Sequence, residues 1–540
     1  DKRIREAWEN TVGDGDTVAA ISVGERLCYV HGSCFIADDN PTYSGGGETH
    51  TRIVDLGLQG TPDTRIVMMG SYAVIFPDRK YVSLSDMTDN GSIDAEKTSS
   101  SATICPCPLG EPDAVIIISA ASPEASCDYW LDTSGDTDIL RFRSGGEWQE
   151  VQAAGVRITV GGSIPFSEGD GVSITASDAL CGGLLPDSAV IASVGTGSVV
   201  IPGSIDKHAE KAAVKLSRKM PKCDIVFECG NRLWGCRSGT DEGGRQVNCI
   251  YASALGDFRN WNVFEGLSTD SYAAARGSDG PFTGAAACMG GVVFFKENCM
   301  ERIYPAAGGG HQIVTVPCSG VRKGAERTVA VADGVVYYLG NDGVYAFDGS
   351  MPVCVSRALG DKRYTGGVAG GESGRYWLSA VDAAGETELL VYDTQKRLWH
   401  RQDNTAAVAF ARWNGEMTVL CSDGRLLDTS GTLGTAETGF SWSAESGDLG
   451  LYTPEHKYLS RLELRLKTAA GSTVKAYVCY DGDNVWEQVG GVSGEAGQTR
   501  GAVLQVRPRR CGHLRLKLAG DGPCRVYSAA AVYEKGSDGP

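Results

Sequence analysis

The chain is written in short apolar runs separated by turn residues. Gly334-Val335-Val336-Tyr337-Tyr338-Leu339 leads into Gly340-Asn341-Asp342-Gly343, then Val344-Tyr345-Ala346-Phe347 and Asp348-Gly349. Valine and tyrosine suit a pleated surface, while Asn, Asp and Gly supply the positive φ of tight hairpin turns. The same order returns at 376–379 with 388–393, and at 407–410 with 417–420 around Asn414-Gly415. Earlier copies lie at 17–23 with 26–30, 64–69 with 73–76, 225–227 with 231–234, and 292–295 with 302–304. A recurrence of about 35–50 residues is the spacing of four-stranded propeller blades. The pattern predicts an all-β chain built on a multi-bladed (six or seven) β-propeller.

Two stretches break the rhythm. Residues 98–112 are rich in Ser, Thr, Pro and Gly, and short apolar runs follow at 114–119, 155–160 and 171–176. They predict a small β domain inserted between blades. From 441 to 535 the alternation is regular, as in Leu462-Glu463-Leu464-Arg465-Leu466. One apolar face and one polar face mean half-exposed antiparallel sheet, hence a C-terminal β-sandwich. The expected division is 1–100 (first blades), 101–219 (inserted β domain), 220–440 (remaining blades) and 441–540 (sandwich). Helix is expected only at 2–8 and 206–216.

Composition narrows the classes. With 540 residues, 42% hydrophobic and 22% charged, the chain can bury a large core, and global disorder is excluded. Its 72 glycines fit a chain that turns often. A net charge of −17 argues against a protein that coats nucleic acid, because such affinity comes from neutralised phosphates. The longest apolar run, 114–121, falls short of the roughly 18–20 residues of a membrane span, so none is expected. No signal peptide is legible; residue 1 is Asp, and a lost start is expected. The 18 cysteines are scattered, with tight pairs only at Cys105/Cys107 and Cys28/Cys34. Neither a dense disulfide framework nor zinc knuckles follow, and buried free thiols in a reducing compartment are expected.

Catalytic signatures are missing. There is no GxxxxGK[ST] loop and no GxSxG elbow, and Gly13-Asp14-Gly15 and Gly195-Thr196-Gly197 lack a dinucleotide site's third glycine. The seven histidines, at 31, 50, 208, 311, 400, 456 and 513, never occur at HxxxH spacing, and packing or surface roles are expected. Asp481-Gly482-Asp483-Asn484 is similar to a calcium loop but lacks its closing Glu, so a hairpin turn is the better reading. Asp132, Asp136 and Asp138 could hold a cation. The stretch from Ser253 to Trp261 approaches an Asp box once, in the wrong order. No catalytic, cofactor or metal residue is therefore expected. The candidate partner contact is basic: Lys207, Lys211, Lys215, Arg218, Lys219 and Lys222. The first three lie four apart and would share one helical face, either solvated or set against a polyanion or acidic neighbour. Arg507, Arg509 and Arg510 form a less regular group.

Residues from about 218 to 405 carry more than pattern. They include Met220-Pro221, Asn231-Arg232-Leu233-Trp234-Gly235-Cys236, Ile250-Tyr251-Ala252-Ser253-Ala254-Leu255-Gly256-Asp257 and Asn260-Trp261. Further on come Asp270-Ser271-Tyr272, Gly277-Ser278-Asp279-Gly280-Pro281-Phe282-Thr283-Gly284, Phe294-Phe295-Lys296-Glu297, Asp342-Gly343-Val344-Tyr345, Val391-Tyr392-Asp393-Thr394 and Leu398-Trp399-His400. This block resembles the packaged-DNA stabilisation, or tail-nozzle, β-propeller proteins of short-tailed phages and prophages. A weaker match runs from Met69 to Asp78.

The resemblance implies a structural virion protein, not an enzyme. It would form a homo-oligomeric ring, a hexamer by analogy, at the neck or tail, assembled in the bacterial host cytoplasm. Implied partners are portal or adaptor proteins and a tail fibre or needle, with double-stranded DNA passing through the lumen without specific binding. No cofactor and no active site carry over. A hexamer would hold six times −17, or −102, formal charges, and an acidic lumen would repel DNA and let it slide. The alternatives are a baseplate or fibre-associated propeller, or a carbohydrate-binding or adhesion propeller.

Overall fold

The structure is a computed structural model. It describes residues 2–536 apart from 4–14, 40–50, 125–126, 153, 178, 242, 265–266, 307–309, 361, 414, 422–423, 430–439, 453 and 495–498. Strand dominates, and three 3-10 turns (Leu180–Gly183, Glu326–Thr328, Arg357–Leu359) are the helical segments among the described residues. The chain divides into two compact units, 1–433 and 434–540.

Among the described residues of the first unit, seven four-stranded antiparallel sheets succeed one another as blades: 17–55, 65–92, 225–275, 284–317, 330–354, 364–403 and 407–428. Lys2–Arg3 supplies the fourth strand of the seventh by pairing with Arg425 and Leu426. Apolar side chains join each blade to the next. Val30 and Phe35 of blade 1 meet Ala73 and Ile75 of blade 2, and Val74 and Phe76 meet Leu233 of blade 3. Trp234 and Cys236 then meet Phe294 and Ile303 of blade 4. Phe295, Tyr338 and Tyr376 link blades 4, 5 and 6, and Trp377 and Met417 link blades 6 and 7. Finally Trp413 and Leu420 of blade 7 pack on Tyr29 and Ile36 of blade 1, and the Trp413 indole donates to Glu25 O at 2.6 Å. The succession closes on itself as a β-propeller. Close approach between neighbours selects glycine at Gly371, where a Cβ would lie 2.0 Å from Val331 O of blade 5.

The insert runs from the strand Ala95–Pro108 to the strand Ala209–Arg218, slightly earlier at both ends than the expected 101–219. Its main sheet has the strand order 188–190, 171–175, 209–218, 95–108, 154–159, 198–202, 193–195. The two end strands are consecutive in sequence, and Ile191 N donates to Asp170 O while Ala192 N donates to Val200 O. The sheet therefore closes into a barrel filled by Ile104, Val156, Ile158, Val172, Val199 and Leu216. A second sheet, 116–150, packs Leu131 and Leu140 on Cys105 of the barrel.

The helix expected at 206–216 is not formed. Ala212, Val214, Leu216 and Arg218 are buried alternately, a period of two, so barrel packing overrides the helix-favouring Ala, Lys and Glu. Of the helix expected at 2–8, Lys2–Arg3 is strand and the rest lies outside the described residues.

The second unit is a sandwich. One sheet orders 441–445, 514–521, 473–480, 487–493; the other sets Lys457–Thr468 between 499–511 and Cys524–Lys535. Leu459, Leu462, Leu464 and Leu466 face Val474, Val478 and Leu518. The step of three between Leu459 and Leu462 is a bulge at Ser460.

Candidate functional site

The basic stretch that the sequence singled out lies along the last barrel strand and the segments flanking it, and a strand does not gather it on one face. Lys207 Nζ reaches Asp138 Oδ1 at 3.1 Å and Gly135 O at 2.8 Å. Lys215 and Lys219 both meet Glu96, at 2.8 and 3.4 Å. Lys211 is exposed at a bulge with φ +55°, and Lys222 is exposed beyond the strand. Arg218 is buried. Its guanidinium pairs with Asp170 and donates to Ile93 O of the segment leaving blade 2.

That last pair belongs to a junction the sequence did not reveal. Asp170 sits in the turn Gly169-Asp170-Gly171, and its Oδ2 also accepts Ser167 N at 2.9 Å. Asn260, on the loop after the third strand of blade 3, accepts Gly171 N at 3.0 Å and donates to Gly169 O at 3.0 Å. A Cβ on Gly171 would lie 2.7 Å from Val263 Cγ2. The barrel is thus fastened to blade 3 by buried polar bonds. The signal available in sequence was only Asn260-Trp261 within the resemblance block.

Other titratable groups are held in similar structural networks. Asp138, buried, accepts His208 N at 2.8 Å, contacts His208 Nδ1 at 2.6 Å and pairs with Lys207. Burial pushes its carboxyl up, but the His208 and Lys207 hydrogen bonds outweigh that and hold it below the usual range. Asp132 is satisfied by Ser134 and by Arg141 at 3.1 Å. The three aspartates considered for a cation are not brought together as ligands, and among the described residues no group of His, Cys, Asp or Glu is placed to hold one. Glu301, fully buried between blades 3 and 4, accepts from Arg276, Ser278 and Thr315. In blade 6, Glu388 takes Tyr364 at 2.7 Å and Lys362 and Arg401 at 3.0 Å each. Burial raises its carboxyl; these partners lower it further, below its ordinary value. Arg327, in the 3-10 turn before blade 5, donates to Pro62 O of the segment entering blade 2 and to Val408 O of blade 7.

The described histidines fill packing or surface positions. His31 is buried against Thr17 Oγ1 at 3.0 Å. His311 packs edge-on to Trp234 and Tyr272 at 5.0 and 4.8 Å, and burial with nearby Arg232 pushes it below its usual range. His50 lies outside the described residues. Asp481 forms the turn expected of it, accepting Gly512 N and His513 N. Among the described residues no cysteine is in a disulfide, and the cysteines are buried or half-buried.

No family model matches the chain, and no curated protein matches it. Among solved structures, an exo-β-1,3-galactanase of Phanerochaete chrysosporium is 8% identical over 56% of this chain and 95% of its own, with a TM-score of 0.23. A puromycin-hydrolyzing peptidase of Mycobacterium tuberculosis is 10% identical over 72% and 54%, with a TM-score of 0.25. PorZ, a surface component of the type-IX secretion system of Porphyromonas gingivalis, is 10% identical over 92% and 81%, with a TM-score of 0.17. At these scores the likenesses carry no argument about activity or partners.

Proposed function

We propose that the chain is a structural subunit of a tailed-phage virion, a ring component of the neck or tail nozzle that stabilises packaged DNA and gives it an exit channel. One observation carries this reading. The stretch of resemblance, 218–405, coincides with four consecutive blades, 225–403. The residues that carry it hold architecture. Asn231 and Gly256 are turns at positive φ, Trp234 and Phe294 fill the interface between blades 3 and 4, and Asn260 holds the insert. Buried carboxylates are engaged by arginine, lysine and hydroxyl partners, as a rigid building block requires. Such a block suits repetition around an axis, because a propeller leaves only short, protected edges.

Charge supports the channel. The C-terminal 107 residues hold 12 Asp and Glu against 13 Lys and Arg, a net of +1, so residues 1–433 carry −18. A lumen lined by that unit would repel DNA and not pin it. The test is mass spectrometry of purified virions together with native mass spectrometry of the chain mixed with its portal and adaptor. The proposal expects a fixed copy number per particle and co-assembly. Absence from virions, or turnover on a glycan panel, would overturn it.

A further inference from the structure

Four of the six basic residues singled out in sequence, Lys207, Lys215, Arg218 and Lys219, pair with carboxylates within the fold; a second basic cluster lies elsewhere. On the outward face of the sheet built around Lys457–Thr468 in the C-terminal unit, Arg461, Glu463, Arg465 and Lys467 alternate along that strand, about 6.7 Å apart. The neighbouring strand adds Arg525 opposite Lys467, with Ser528 and Ala530 beyond it. The other neighbour adds Thr499, Gly501 and Val503, all exposed. Arg461 pairs with Glu463 at 2.9 Å. Arg465, Lys467 and Arg525 are exposed, and among the described residues none has a carboxylate at ion-pair distance. At the end of this face Thr468, Ala469, Ala470, Pro523 and Cys524 line an open pocket of about 490 Å3, which Lys467 and Arg525 also line.

We infer that this face is a self-assembly surface: Arg465, Lys467 and Arg525 dock on an acidic surface of a second copy, and the pocket takes an apolar side chain from it. Charge complementarity selects the occupant. Residues 1–433 carry −18, so contacts between copies through that unit alone are repulsive. An unpaired basic face supplies the attraction and fixes which surfaces meet. Nucleic acid would find the same three cations, but it must approach a chain of net −17, which disfavours it. Contact of unlike surfaces is heterologous, the kind that closes into rings. The inference rests on the reading of the chain as a self-assembling virion subunit.

The experiment is sedimentation velocity on the full chain at about 50 mM and about 500 mM NaCl, since screening shortens to a few ångströms as salt rises. The wild type is expected to associate at low salt and to weaken at high salt. The triple variant Arg465→Glu, Lys467→Glu, Arg525→Glu should weaken association about tenfold or more, while Lys211→Glu with Lys222→Glu, on and just beyond the insert, should leave it unchanged. Circular dichroism of the triple variant checks folding, and the salt titration of the wild type stands independently of it. Association that survives the triple variant overturns this surface and leaves the virion reading standing. A wild type that stays monomeric in both salts counts against both. A duplex of DNA that binds the wild type and not the triple variant, without self-association, would assign the face to nucleic acid instead.

Discussion

Asn260 of blade 3 and Gly171 of the inserted barrel meet through a buried hydrogen bond of 3.0 Å from the Gly171 N–H to Asn260 Oδ1. Beside it, Arg218 and Asp170 form a buried ion pair. Removing one partner of such a pair leaves the other charged and desolvated. Arg218→Ala should cost about 3–5 kcal/mol, and the double change Arg218→Met with Asp170→Leu should cost less than that. Urea unfolding of the wild type and both variants checks this. Limited proteolysis should show the insert released first.

Trp377 is almost fully buried between blades 6 and 7, and its indole donates to Glu372 Oε1 at 2.8 Å. Trp377→Ala removes a large interblade contact and one hydrogen bond to that carboxylate, so a loss of about 3–5 kcal/mol is expected. Trp377→Phe should recover most of it. Thermal unfolding measures both.

The thiols should be inert while the chain is folded. Burial pushes Cys28 and Cys223 up to about 12 and Cys107, Cys181 and Cys318 up to about 11, so they are neutral thiols at pH 8. Alkylation followed by mass spectrometry should modify these five slowly in buffer and fully in guanidinium. Rapid labelling of Cys223 in the folded chain would contradict the interblade packing.

Acid should weaken the fold through Asp138 and Glu388. Both carboxyls lie below their ordinary 3.8 and 4.5 in the folded chain. Their stabilisation is complete above the unfolded values and is lost as pH falls through the folded ones. Urea midpoints of the wild type should therefore drop between about pH 5 and pH 3, and Asp138→Asn should flatten that drop while lowering the midpoint at pH 7.

The blades were legible because their signal is local: a strand of Val and Tyr, a Gly-bearing turn, another strand. The sandwich was legible for the same reason in 459–466, although the bulge at Ser460 was not. The strand at 209–218 was misread because Ala, Lys and Glu favour helix, while the period-two burial of Ala212, Val214 and Leu216 exists only once the barrel surrounds them. The insert junction was hidden too. Gly171 and Asn260 are 89 positions apart, and sequence spacing gives no sign of such a pairing. The face of Arg465, Lys467 and Arg525 escaped notice because Arg525 comes from a strand about 60 residues away in the chain.

The central claim is that this propeller is repeated around a symmetry axis in a virion. Electron microscopy of purified particles bearing a labelled copy, averaged about the tail axis, tests it most directly. The account predicts label in a closed ring of copies at the neck or nozzle, with DNA on the axis. Label absent from the particles, or present as single copies away from the axis, would contradict it.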